Sequence, residues 1–310
     1  MRANAVGRST VVVTELGLGT AQLGGLYAPM DQRTADMTVA AAWEAGVRYF
    51  DTAPHYGLGA AEERLGVALA GQPREAFTIS TKVGRLIVES TDGERERRWG
   101  FSADAVRRSL DESRQRLGVD RIDVALVHDP EAHLDQAVDE AFPVLAELRA
   151  RGEIGAVGVG TRDLPSLIRF VRETDIDAVM VAGRLTLLDA SALTELIPLC
   201  RERGVSVLNA GVFNSGVLAA PAPTAGTHFE YVAAPPDVVA RARDIETAAL
   251  GHGVSLPEAA LAFAADSDVV SSVVVGAESP EQIAGTVHAF AARRRDLTAL
   301  WRSVRQVNRG

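Results

Sequence analysis

Short apolar and β-branched runs alternate with longer stretches of helical periodicity along the whole chain. The run Val47-Arg48-Tyr49-Phe50 predicts a buried strand. Ala45-Gly46 closes a helix before it, and Thr52-Ala53-Pro54 ends it, because proline has no N–H and biases its predecessor away from helix. Further strands follow from the same pattern at 16–19, 77–82, 122–127, 155–160, 178–182, 205–208 and 271–275. The run GAVGVG at 155–160 is thinned by glycine, as where another backbone approaches closely. Helical periodicity covers 31–46, 60–70, 102–117, 134–151, 164–173, 190–203, 236–251 and 257–266. More helices open near Ser279-Pro280 and near 296–307, and Ser102 is placed as an N-cap. Residues 9–15 predict a short capping hairpin, 20–25 a glycine-rich turn, 84–100 an irregular charged insert and 210–234 a long loop.

Continuous apolar strands imply a parallel sheet covered on its faces. Eight strand–helix units close naturally into a barrel. The expected fold class is therefore α/β, a (β/α)8 TIM barrel with an N-terminal capping hairpin and an extra C-terminal helix. No linker or composition shift divides residues 1–310, so one domain is expected. An open doubly wound sheet would want a dinucleotide fingerprint after its first strand; Gly17-Leu18-Gly19-Thr20-Ala21-Gln22 puts glutamine where the third glycine belongs.

Composition narrows the functional classes. The 310 residues, 47% of them hydrophobic, suffice for one large core. A net charge of −9 with interspersed signs argues against a nucleic-acid face and against a polybasic membrane patch. The single Cys200 excludes an intrachain disulfide framework and fits a reducing compartment. The opening MRANAVGRST lacks a signal peptide's apolar core, and no apolar run nears the length of a membrane span. A cytoplasmic protein is the expectation.

Barrel enzymes carry their chemistry at the carboxyl ends of the strands. Asp51 and Tyr56 fall just past the second strand, Lys82 ends the third and His128 follows the fourth. Neighbouring strands would let these four side chains converge. A free tyrosine, with a pKa of about 10, is a poor base at neutral pH. A lysine ammonium about 4 Å away contributes on the order of 4 kcal/mol at an effective dielectric of 20, before desolvation. That corresponds to a fall of up to about 3 pKa units for the phenol. Asp51 would keep Lys82 charged and oriented, and His128 would orient the substrate oxygen or share its proton. Tyr56 then serves as general base when an alcohol is oxidised and as general acid when a carbonyl is reduced.

The chain resembles the aldo-keto reductases over nearly its full length. The motifs are GLGTAQLG (17–24), FDTAPHYG with GAAEERLG (50–66), STKVG (80–84), DVALVHDPE (123–131), GEIGAVGVG (152–160) and VVGAESPEQI (274–283). The resemblance implies a barrel that binds an extended nicotinamide cofactor without a Rossmann fold, and a tetrad of Asp51, Tyr56, Lys82 and His128. It implies cofactor contacts from Gly19, Thr20, Asp51, Thr161, Gly211, Phe213, Ser215, Gly276, Glu278 and Gln282. Two runs, AGRLTLLD (182–189) and GVFNSGVL (211–218), most resemble the aldose, galactose and pyridoxal dehydrogenases within the family. That group oxidises a cyclic hemiacetal carbon to a lactone with NAD. NADP-preferring relatives place a basic residue soon after the eighth strand's Gly-Ala, where this chain has Glu278, so NAD is expected over NADP. The competing account of Glu278 is a helix-start acid favoured by the macrodipole.

Departures from the family pattern are Leu185, where many relatives stack an aromatic ring on the nicotinamide, and Thr161-Arg162, where a Ser-Asn pair or a nearby Asn often holds the carboxamide. Tyr27, His55, Trp99 and His128 are expected to wall the substrate pocket, and Arg95–Arg98 reads as a solvated charge run in preference to an anion site. The HDPEAH loop (128–133) lacks helical ligand spacing, so no metal is expected, and Cys200 is read as packing. The implied partner is a small sugar or aldehyde, acted on by a monomer or homodimer. Two alternatives share the tetrad: an NADPH-linked aldehyde or ketone reductase, and a redox-sensing module that holds cofactor and turns over slowly.

Overall fold

In the computed structural model the eight apolar runs pair side by side, each parallel to the next, and the last closes on the first. The structure describes residues 1–224, 226–230, 232–293 and 297–307; the expected helix start at 296 and two positions of the loop 210–234 lie outside them. The barrel strands are β1 (Leu16–Gly19), β2 (Tyr49–Asp51), β3 (Thr78–Val83), β4 (Ile122–His128), β5 (Ile154–Thr161), β6 (Ala178–Ala182), β7 (Ser206–Ala210) and β8 (Val270–Gly276). Their order around the barrel is their order in sequence. Asp51 is not past β2 but its last residue, paired with Gly19 on one side and Ser80 on the other.

Close approach fixes two glycines. A Cβ on Gly17 would sit 2.5 Å from the Tyr49 ring, which fills the barrel interior. A Cβ on Gly158 would sit 2.2 Å from the Ala178 carbonyl oxygen, as the glycine-thinned β5 suggested. The interior is plugged by Val6, Val11 and Val13 with Tyr49, Val124, Leu126, Met180 and Leu208. Val6, Val11 and Val13 come from the N-terminal hairpin, in which Ala3–Ala5 pairs antiparallel with Val12–Thr14; the sequence pattern marked its second arm alone. The larger core lies between the strands and the surrounding helices.

Three segments differ from expectation. The charged insert is a β-hairpin, Arg85–Glu89 against Arg95–Trp99, with Arg85 opposite Trp99 and Ile87 opposite Arg97. Gly93, at φ +85°, turns the chain within a Ser90–Glu94 loop, while Leu86 and Val88 bury one face of the first arm. Second, the helix expected at 134–151 is interrupted. A turn at Leu134–Gln136 passes into a π-helical turn at Ala137–Ala141, then Phe142–Ala150 continues as α-helix. Pro143 has no N–H to continue the ladder, and the Phe142 N–H bonds one residue further back, to the Ala137 carbonyl. Third, the long loop after β7 contains a two-residue pairing of His228–Phe229 with Val232–Ala233. The final helix, Thr298–Val307, docks Leu300, Trp301 and Val304 on a second apolar cluster, with Trp301 edge-on to Phe263. Among the described residues no helix is long and apolar enough to cross a membrane.

Candidate active site

Residues of β3 alternate inward and outward, so Ser80 and Lys82 share one face. Lys82 is 2% exposed, and its ammonium donates to both carboxylate oxygens of Asp51 (2.9 and 2.8 Å) and to the Thr52 carbonyl (2.8 Å). Burial opposes the charge, but Asp51 and a hydrogen bond with Tyr56 outweigh it and hold the lysine pKa above its ordinary value. The ammonium lies 4.7 Å from the Tyr56 ring centroid. Lys82 is therefore a fixed cation with its bonds turned toward Asp51 and the phenol.

Asp51 has support that sequence reading missed. Ser80 donates to Asp51 Oδ1 (2.7 Å), and because its one proton is spent there, the Tyr49 hydroxyl at 2.9 Å must donate to Ser80. Burial raises the Tyr49 pKa well above its usual value, which keeps this donor protonated. The alternation of Ser80 with Lys82 carried the signal for the serine.

Tyr56 is presented by a loop that needs two glycines back to back. A Cβ on Gly57, which has φ +61°, would meet the Gly24 carbonyl oxygen at 2.3 Å, and one on Gly24 would meet the Tyr56 carbonyl carbon at 2.6 Å. The glycines of GLGTAQLG and FDTAPHYG thus lock the β1 and β2 loops together beneath the phenol.

His128 ends β4 opposite Gly160, its ring perpendicular to Tyr56 with centroids 6.0 Å apart. Burial, then the cations Lys82 and Arg85, push its pKa well below the usual value, so the imidazole is neutral. Its Nδ1 is buried without a protein partner, and Nε2 lies 3.5 Å from Asp129. His55 comes to the same place, 5.8 Å from the His128 ring and 6.5 Å from the Tyr56 ring. Its Nε2 meets Arg85 at 2.9 Å, and burial with Arg85 and Arg97 lowers its pKa to about 4. Trp99 stacks on Phe101 and carries the Arg85 guanidinium 4.6 Å over its ring. Tyr27 instead packs against His228, with ring centroids 5.4 Å apart.

Several features of the β7, β8 and β1 ends could hold a dinucleotide. Gly211 (φ +65°) opens a turn in which Asn214 and Ser215 are both left-handed, at +47° and +61°, a concavity of the kind that takes anionic oxygens. Asn214 Oδ1 is buried there without a partner. The Gln22 side-chain amide lies over Gly276, 2.2 Å from where a Cβ would be, so the β1 loop reaches the end of β8 here. Gln282 Oε1 accepts from the Glu278 N–H (2.8 Å), and Ser279 caps the helix Pro280–Ala292. The Thr161 hydroxyl donates to Glu131 and accepts from the Asp163 N–H, so toward a carboxamide it offers a lone pair and no proton. Arg162 turns to Glu230 (2.6 Å). Leu185, 2% exposed, packs in the main core. Gly19 and Thr20 adjoin the tetrad, with Thr20 N–H and hydroxyl both donating to the Asp51 carbonyl. Phe213 packs against both apolar clusters. Among the described residues no group of three metal-ligating side chains is present. Cys200 is buried, and burial pushes its pKa up to about 12.

A closed (β/α)8 barrel with these residues gathered at one mouth belongs to the oxidoreductases that act on CH–OH groups. The model of the aldo/keto reductase family matches residues 15–298, and the chain belongs to that family. It is 42% identical to a D-threo-aldose 1-dehydrogenase of a Pseudomonas species, over 90% of each chain. It is 39% identical to a pyridoxal 4-dehydrogenase of Microbacterium luteolum, over 92% of each. Among solved structures, an aldo-keto reductase of Bacillus halodurans in its holo form superposes with a TM-score of 0.82 at 26% identity, covering 99% of this chain and 96% of that one.

Proposed function

We propose that the protein is an NAD-dependent dehydrogenase that oxidises the hemiacetal carbon of an aldose, or a similar hemiacetal such as pyridoxal, to a lactone. The observation that carries the reading is the buried Lys82 ammonium, clamped by Asp51 and aimed at Tyr56. Tyr56 takes the proton of the anomeric hydroxyl as the C–H electron pair leaves, and the lactone carbonyl forms. When bound, the nicotinamide supplies the hydride acceptor. Lys82 stabilises negative charge on the phenol oxygen. Neutral His128 holds the substrate oxygen through a ring nitrogen, which a charged imidazolium pressed against Lys82 would do at greater cost. Asp51, fixed by Ser80, keeps the ammonium in place.

The choice of NAD rests on Glu278. It follows Gly276-Ala277 at the end of β8, where a carboxylate repels a 2′-phosphate and accepts from a ribose hydroxyl. The choice of a hemiacetal rests on similarity to the aldose and pyridoxal dehydrogenases. The test is initial rates of cofactor reduction at pH 7 to 10 with L-fucose, D-arabinose, L- and D-galactose, pyridoxal and simple alcohols, each with NAD and NADP. Turnover of a hemiacetal with NAD supports the reading. No NAD turnover, with NADPH oxidised by aldehydes, overturns both the cofactor and the direction.

A further inference from the structure

One arginine of the hairpin 85–99 is used neither by the tetrad nor by the fold. Arg95 docks the hairpin, bonding the Leu58 carbonyl (3.1 Å) and Glu63 (3.0 Å), and Leu86 and Val88 bury its inner face. Arg85 pairs with Asp129, and Arg98 lies 3.9 Å from Glu96. Arg97 does none of this. Its Nη1 lies 3.4 and 3.3 Å from the two nitrogens of His55, and among the described residues no carboxylate comes within ion-pair distance of it.

Register puts Arg85, Arg97 and Trp99 on one face of the hairpin. Arg85, Arg97, Arg98 and Trp99 line a cavity of about 200 Å³ there. His55 joins this cavity to the reaction centre, since Arg85 and Arg97 both contact its ring and that ring touches the His128 and Tyr56 pair. Arg85 already supplies a cation to His55 Nε2 at 2.9 Å, and Arg97, at 3.3 Å or more, adds only a further push on the imidazole pKa in the same direction. An unpaired guanidinium facing an aromatic wall beside the substrate pocket, in a chain of net charge −9, is built for an anion.

We propose that Arg97, with Arg85 and Trp99, forms a substrate subsite for a carboxylate or phosphate carried on the sugar away from the oxidised carbon, so that the preferred substrate is an acidic aldose. This rests on the dehydrogenase reading and narrows its substrate class. Arg97 forks onto two anionic oxygens, Trp99 covers the apolar face of the ring, and the anomeric hydroxyl reaches Tyr56 and His128.

The test compares D-galactose, D-galacturonate and D-galactose 6-phosphate as substrates with NAD for the wild type, Arg97→Gln and Arg97→Lys. The expected result is a kcat/KM for galacturonate or the 6-phosphate at least about tenfold above that for galactose, carried by KM. Arg97→Gln collapses that ratio and Arg97→Lys recovers part of it. Whichever acidic sugar leads separates the carboxylate from the phosphate source. A ratio near or below one, or a ratio unmoved by Arg97→Gln, overturns the proposal. If none of these three sugars turns over, the dehydrogenase reading is decided separately, by the wider panel of hemiacetals above. Calorimetric titration of galacturonate and of inorganic phosphate into the NAD-loaded protein then decides the subsite. Binding weakened about tenfold by Arg97→Gln upholds it; absent or unchanged binding overturns it.

Discussion

Ser80 and Lys82, two residues apart on β3, bond the same oxygen of Asp51, at 2.7 and 2.9 Å. The carboxylate is thereby held between a neutral donor and a cation, with Tyr49 behind the serine. Ser80→Ala removes one charge-assisted bond of about 1.5–3 kcal/mol and strands the Tyr49 hydroxyl. The expected outcome is a lower thermal midpoint and a lower kcat, with KM for NAD little changed, and Ser80→Thr retains more of both. Calorimetric melting and steady-state rates check this.

Breaking the buried ion pair has a sharper signature. Lys82→Met leaves the Asp51 carboxylate buried without its cation, a loss of about 3–5 kcal/mol in stability. Asp51→Asn combined with Lys82→Met relieves that charge, so the double variant is more stable than Lys82→Met by urea denaturation while remaining inactive. Equal stabilities of the two variants would mean that the pair is weakly coupled.

A second buried pair stabilises the back of β3. Glu62 is fully buried, accepts from the Thr81 hydroxyl (2.6 Å) and bonds Arg116 Nε at 2.7 Å. Arg116→Ala leaves this carboxylate unpaired and costs about 3–5 kcal/mol in urea unfolding. Arg107→Ala, which removes a half-exposed pair with Glu147, costs about 1 kcal/mol or less.

The histidines set an acid limit on stability. His128 is held well below its usual pKa and His55 at about 4, both chiefly by burial, whereas in the unfolded chain each binds a proton below about 6.5. Both folded values are depressed, so this stabilisation is complete above about 6.5 and is lost as pH falls toward 4. The melting temperature should fall between pH 7 and pH 4.5, and His128→Gln should shrink the difference. Neither histidine titrates in the folded protein between pH 6 and 8, so no histidine limb should appear in kcat there.

Much of this was legible because barrel strands are apolar runs and their carboxyl ends are marked by isolated polar residues. Asp51, Tyr56, Lys82 and His128 stood out in that way, and the structure brings them together. Ser80 and Tyr49 did not stand out. A serine and a tyrosine inside a strand look like ordinary strand residues until a register puts them under Asp51. The hairpin 85–99 was hidden by charge: its exposed arm reads RERRW, alternation shows only in Leu86 and Val88, and the turn dipeptide Asp92-Gly93 was passed over in a segment read as irregular. The π-turn lies just before Pro143, the one sequence mark of a break in a segment read as a continuous helix. Tyr27 and Trp99 are both aromatic loop residues in sequence, and only long-range pairing sends one to His228 and the other to Arg85.

In the proposed reaction Tyr56 takes a proton while hydride leaves the anomeric carbon. This is tested most directly by turning over L-fucose deuterated at C1 with NAD, for the wild type and for Tyr56→Phe. Deuterium is expected at C4 of the reduced nicotinamide, with a slower rate than for the unlabelled sugar and a loss of at least about a hundredfold in kcat for Tyr56→Phe. Deuterium retained on the sugar product, or a Tyr56→Phe rate close to that of the wild type, would contradict it.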